Sequence, residues 1–222
     1  VTPLASTARS AVGIEVDEQF ASAQQQLETS ELGMWVFLLT ELLLFSTLFV
    51  SALILRVLHP AAVTAAALHL KMWIGGVNTA VLITSSFFMS AAIELSRMGE
   101  QRRMVACMRI TAGLGAVFLA LKGYEYWCDY AEHMTPFFAW RPYVLAGDPA
   151  ARLFIDLYYI ITSLHAVHLT IGIGLILTMA QMASAPGFLA RRSNRIAITG
   201  LYWHFIDLIW IIVYPTLYVL NR

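Results

Sequence analysis

The run from residue 196 to residue 220 constrains this chain more than any other stretch. Its 25 residues carry no ionisable side chain except His204, Asp207 and three tyrosines. A helix of about 20 apolar residues crosses a hydrocarbon core of about 30 Å, so this run is long enough to span a membrane. His204 and Asp207 fall near its middle, three residues apart and therefore on one helical face. A charged group at that depth costs about 2.5–3.5 kcal/mol to insert. Both side chains are therefore expected to face protein, water or a partner rather than acyl chains.

Four earlier runs have the same character. Together they predict an all-α integral membrane bundle of five transmembrane helices, at about 32–58, 72–96, 104–130, 152–182 and 196–220. The chain is 59% hydrophobic and 13% charged, where soluble domains carry about 25% charged residues. Residues 1–29 read as a polar cytoplasmic tail and 30–222 as the transmembrane domain. Within the tail, Val16, Phe20, Ala23 and Leu27 form only a narrow apolar stripe. No cleavable signal is expected, because the first 30 residues contain no apolar segment.

Five crossings put the termini on opposite sides. Arg9, Arg97, Arg102, Arg103, Arg191, Arg192 and Arg195 lie on the amino-terminal side. Arg56, Lys71, Arg141, Arg152 and Arg222 lie on the other. The excess predicts a cytoplasmic amino terminus and a periplasmic carboxyl terminus. Tyr124, Tyr126, Trp127, Tyr130, Tyr158, Tyr159, Tyr214 and Tyr218 then collect near the outer interface, as amphipathic rings do. The loop between Cys128 and Ala151, with Pro136, Pro142, Pro149, Phe137, Phe138 and Trp140, becomes external. A formal net charge of zero gives no support to nucleic-acid binding or a polybasic lipid anchor. Cys107 and Cys128 lie at opposite ends of one predicted helix, too far apart to bridge.

Several polar groups fall inside the runs. Glu41 sits about 13 Å into the first, at 1.5 Å per residue. It reads either as a proton-handling or lipid-contacting carboxyl or as a neutral acid hydrogen-bonded between helices. His165 and His168 stand at i and i+3 in the fourth run. With His204 and Asp207 they offer three imidazoles and a carboxylate, a set that borderline metals use. The competing reading is interhelical hydrogen bonding, each bond worth about 1 kcal/mol or less. Lys122 and Glu125, also i and i+3, are expected to pair. Asp156, one turn from Arg152, is a second outer-leaflet acid. Arg109 lies inside the third run near its cytoplasmic end and is a candidate contact for lipid phosphate. Asn78, Thr79, Thr84, Ser85 and Ser86 supply polar contacts between helices. Ala112, Gly113, Gly115, Ala116 and Ala120, with Gly172 and Gly174, permit close helix approach.

Five of these stretches, in order, resemble the cytochrome c oxidase subunit III family of haem–copper oxidases. They are Thr40-Glu41 with Phe45; Asn78-Thr79-Ala80-Val81-Leu82; Tyr124-Glu125-Tyr126; Thr162-Ser163-Leu164-His165-Ala166-Val167-His168 followed by Gly172; and Tyr202-Trp203-His204-Phe205-Ile206-Asp207 with Trp210. The match runs from about residue 31 to 220 and corresponds to the last five helices of seven-helix members. Thr40, Ser163 and Ile206 depart from the usual serine, glycine and valine. The five-helix form is typical of bacterial quinol oxidases and several bacterial cytochrome c oxidases.

The resemblance implies an accessory subunit of the bacterial inner membrane with no redox centre of its own. Haem and copper are expected in its main partner, subunit I, with subunit II and further small or cytochrome subunits nearby. It also implies bound phospholipid and a supporting role in proton uptake for Glu41, His204 and Asp207. A branch associated with nitric oxide reductases is the near alternative. From other classes, a stand-alone membrane metalloenzyme using His165, His168, His204 and Asp207 competes with it. A small transporter is a third reading, although neither inverted repeats nor mid-span breaks are evident.

Overall fold

A computed structural model describes residues 23–131, 148–185 and 188–220. Six α-helices follow in order: α1 (Ala23–Leu58), α2 (Pro60–Ala67), α3 (Met72–Arg97), α4 (Gln101–Ala131), α5 (Pro149–Met182) and α6 (Phe188–Tyr214). One π turn, Pro215–Val219, ends α6. Five helices are long and apolar enough to cross a membrane; α2 is too short.

The helices overrun the apolar windows. Among the described residues α1 is already helical at Ala23 rather than 32 and α6 at Phe188, while α4 starts at Gln101 and α5 at Pro149. Hydropathy marks what lies in hydrocarbon, whereas backbone hydrogen bonding continues into polar sequence until something stops it. Of the predicted tail, residues 1–22 lie outside the described residues, as do residues 132–147 of the predicted external loop. α2 lies between two of the predicted crossings, where no element is predicted from the sequence. Pro60 ends α1 because it cannot continue the helix, yet it occupies the first turn of α2, where its missing N–H costs nothing.

Local signals set the other ends. Asp148 caps α5, its side chain accepting from the backbone N–H of Ala150 at 2.9 Å and Ala151 at 3.4 Å. Gly99, at φ +79°, turns the chain out of α3 while Glu100 N–H donates to Leu95 C=O at 3.0 Å. That is a Schellman closure, which a residue with a Cβ makes only under strain. Across the bundle, Gln101 Nε2 donates to the carbonyls of Ala183 and Ala185 at 2.5 and 2.8 Å, tying the start of α4 to the end of α5.

α3 packs on α4, α4 on α5, α5 on α6 and α6 on α3, closing a four-helix ring, with α1 against α5 and α6. The ring's interior is stacked in layers. In one, Trp203 of α6 lies against Gly115 of α4 and Gly172 of α5, and its indole N–H donates to Ser85 Oγ of α3 at 3.1 Å. Ile206 meets the same glycine, Gly172, and is buried like Trp203. On α1 the balance is reversed: Leu32, Trp35, Val36, Leu39, Leu43 and Val50 are all more than half exposed. Apolar surface of this kind is what a lipid- or subunit-facing helix presents.

Candidate functional site: three polar clusters between the helices

The polar residues singled out in the sequence are distributed over several seams. At the first, Glu41 of α1 meets His168 of α5, Oε2 to Nε2, at 2.9 Å. The two side chains are 18% and 12% exposed, so the pair opens slightly to the outside of the bundle. The other ring nitrogen, Nδ1, lies 2.9 Å from the Leu164 carbonyl one turn back. A carbonyl only accepts, so Nδ1 carries the hydrogen. Nε2 then either accepts from a neutral Glu41 or, protonated, donates to its carboxylate. Either way the pair shares one proton and is net neutral, which satisfies the bilayer's demand that charge be paired. Tyr202 Oη donates to the His168 carbonyl at 3.3 Å, and Phe45 packs edge-on to the imidazole at 5.5 Å.

His204 occupies a different seam, between α6 and α3. Its Nδ1 is 2.7 Å from Ser86 Oγ and its Nε2 is 3.3 Å from Ser90 Oγ. Asp207, one turn on, is buried, and neither carboxyl oxygen has a hydrogen-bond partner. His165 stands apart from both. It is buried in the ring, packed on Trp210 at 5.0 Å and Phe118 at 5.6 Å between centroids, with Nε2 unpartnered. Asn78, at 0% exposure, likewise has both amide atoms unpartnered. The four side chains considered as metal ligands are thus held in three places. Among the described residues no three His, Cys, Asp or Glu side chains converge as ligands would.

The third cluster lies at the end of the ring opposite the α3–α4 turn. Lys122 and Glu125 pair at 3.0 Å, both buried. Lys122 Nζ also donates to Tyr158 Oη at 2.9 Å and Tyr218 Oη at 2.6 Å. Those two hydroxyls lie 2.9 and 2.8 Å from Glu125 Oε1 as donors. Three ammonium hydrogens meet three acceptors, and both carboxylate oxygens receive donors. A buried ion pair needs that completeness to offset its desolvation. Asp129, one turn beyond Glu125 and 4% exposed, accepts from Tyr159 at 3.2 Å.

Sequence reasoning missed these tyrosines. Tyr124, Trp127 and Tyr130 are exposed, as an interfacial belt requires, but Tyr158 and Tyr218 are fully buried and Tyr159 nearly so. The available signal was Pro215. Lacking an N–H and crowding the carbonyl four residues back, proline disrupts an α-helix. Here the helix widens by one residue, Leu220 N–H donating to Pro215 C=O at 2.9 Å, and the π turn carries Tyr218 into the cluster. Of the remaining candidates, Arg109 is exposed on the outer face of α4, and Asp156 is half-buried with Oδ1 unpartnered.

The whole described chain has counterparts of known family. A family model described as Cytochrome c oxidase subunit III matches residues 19–222. The chain is 34% identical to cytochrome c oxidase subunit 3 of Thermostichus vulcanus over 86% of its own length and 87% of the relative's. It is 31% identical to the corresponding protein of a Synechocystis strain, covering 85% and 74%. Quinol oxidase subunit 3 of Bacillus subtilis is 29% identical, covering 90% and 93%. Five helices long and apolar enough to cross a membrane and a match over nearly all of the sequence place this chain in the cytochrome c oxidase subunit III family.

Proposed function

We propose that the chain serves a respiratory haem–copper oxidase of a bacterial cytoplasmic membrane as its accessory third subunit. It packs on subunit I, with subunit II and smaller or cytochrome subunits nearby, and supports proton uptake and the stability of the catalytic subunit. Haem and copper belong to those partners, and phospholipid fills grooves on the outer face. The amino terminus is cytoplasmic and the carboxyl terminus periplasmic, as the arginines at the helix ends that flank the α3–α4 and α5–α6 turns favour. Arg109, on the outer face of α4, contacts lipid phosphate.

One observation carries this reading. Polar side chains from separate membrane helices meet across the seams, and Glu41 contacts His168 at 2.9 Å at the edge of a largely apolar surface. Such a surface suits a subunit that lends structure and proton-exchanging groups to a neighbour. Relatives of both oxidase types match over similar lengths, so this third subunit fits a cytochrome c or a quinol oxidase equally. Their names favour an oxygen-reducing partner over a nitric oxide-reducing one.

Purification of the tagged chain in mild detergent tests the proposal. The expected result is co-purification with a haem protein whose reduced spectrum and oxygen consumption identify an oxidase. Recovery of the chain alone, with stoichiometric metal bound, would instead establish the metalloenzyme reading.

A further inference from the structure

Between α3 and α6 stands a buried carboxyl to which nothing is bonded. Asp207 is 4% exposed with both oxygens unpartnered. A polar group left in that state has lost its water without gaining a bond, so it calls for an explanation. One turn earlier on α6, His204 is gripped from α3 by Ser86 at Nδ1 and Ser90 at Nε2, 2.7 and 3.3 Å away. The Ser86 hydroxyl is also within interaction range of the Asp207 carboxyl, yet it makes no bond of ordinary geometry there. Ser90 is exposed on the outside of the bundle, Ser86 and His204 are half-buried, and Asp207 is buried. The four side chains therefore run inward along one seam, from surface to interior.

We propose that Ser90, His204 and Ser86 form a proton relay that connects Asp207 to the outer face of the α3–α6 seam. An imidazole can accept a proton at one nitrogen while releasing one from the other, and a serine hydroxyl can accept and donate together. A proton from water at the Ser90 edge enters at Nε2 and leaves from Nδ1 to Ser86 Oγ. Ser86 turns between staggered rotamers and passes its own proton to an Asp207 oxygen. The reverse sequence discharges the acid. Only O–H and N–H bonds form and break, and no electron moves. The next charged groups along α3, Glu94 and Arg97, are paired with each other at 3.4 Å and stand outside this path. The relay rests on the reading of the chain as an oxidase subunit, because only a neighbouring subunit can hold water against this seam at mid-membrane depth.

Infrared spectroscopy of the intact complex, moved from H2O to D2O, tests the relay. A protonated carboxyl band is expected that disappears in Asp207→Asn and shifts in Asp207→Glu. In the unsubstituted complex the band exchanges readily. In Ser86→Ala and His204→Phe, exchange slows on the order of tenfold or more, the scale on which a positioned proton-transfer group acts. Ser86→Thr restores it. Should Ser86→Ala fail to assemble, His204→Asn supplies the same comparison with a polar group left in the seam. No band lost in Asp207→Asn, or equal exchange in the Ser86 and His204 variants, overturns the proposal. Co-purification with haem, scored beforehand on every sample, separates that failure from failure of the subunit assignment.

Discussion

Trp203 on α6 fills the space that Gly115 on α4 leaves open: a Cβ at position 115 would stand 2.7 Å from the far edge of the indole. The same ring lies 3.1 Å from a Cβ built at Gly172 and donates to Ser85 at 3.1 Å. One side chain therefore joins all four helices of the ring. Gly115→Ala is expected to cost about 1–3 kcal/mol, the range for overpacking a filled interior. A lowered midpoint of thermal unfolding in detergent reads it out. Trp203→Phe on the same background should recover only part of the loss, because it relieves the clash but leaves Ser85 without its donor.

The Lys122–Glu125 pair makes a second, asymmetric prediction. Lys122→Met alone leaves a carboxylate buried among tyrosines and should destabilise by about 3–5 kcal/mol. Replacing both residues, Lys122→Met with Glu125→Leu, removes the uncompensated charge and should be markedly less harmful than the single change. Equal losses in the single and double variants would show that the pair is not the element holding that end of the ring.

Pro215 and Tyr218 are expected to act as one unit. Pro215→Ala lets the π turn revert to α-helix and withdraws the Tyr218 hydroxyl from Lys122 and Glu125. Tyr218→Phe removes the same hydroxyl directly. Each should cost about 1.5–3 kcal/mol, the worth of a hydrogen bond to a charged group. The double variant should cost little more than either alone, as contacts shared by neighbours do not add. A thermodynamic cycle over the four proteins measures this.

Glu41→Gln removes the shared proton of the α1–α5 pair while keeping its shape. The haem spectrum of the complex should be unchanged, because Glu41 is bonded within this chain, to His168. Lifetime during sustained turnover, or the persistence of proton pumping, should fall. Unaltered values of both remove Glu41 from any functional role.

Particular residues show where reading the chain stopped short. Glu41, His204 and Asp207 stood out because ionisable side chains are rare and costly in an apolar run, whatever they touch. That Glu41 would choose His168, while His165 three residues away turns to Trp210, was not legible. Both histidines lie on one helix and differ by 300° of rotation, so their partners depend on where α1 and α6 lie. Tyr158 and Tyr218 were placed in an interfacial belt on depth alone. Depth along the membrane can be counted from the sequence, but direction around the helix axis cannot be assigned until the neighbours are known.

By itself, the sequence determined the five crossings and the residue types that could not face lipid. Those follow from hydrocarbon thickness and the cost of desolvating charge, which act on each run separately. Tertiary structure alone decided that Asp207 would stand unbonded beside Ser86, that Lys122 would be fully satisfied, and that the imidazoles would serve three seams. Those outcomes depend on helix rotation and register. Packing between elements far apart in the chain sets both, and in a membrane, where apolar burial discriminates poorly between faces, small residues and hydrogen bonds do most of the choosing.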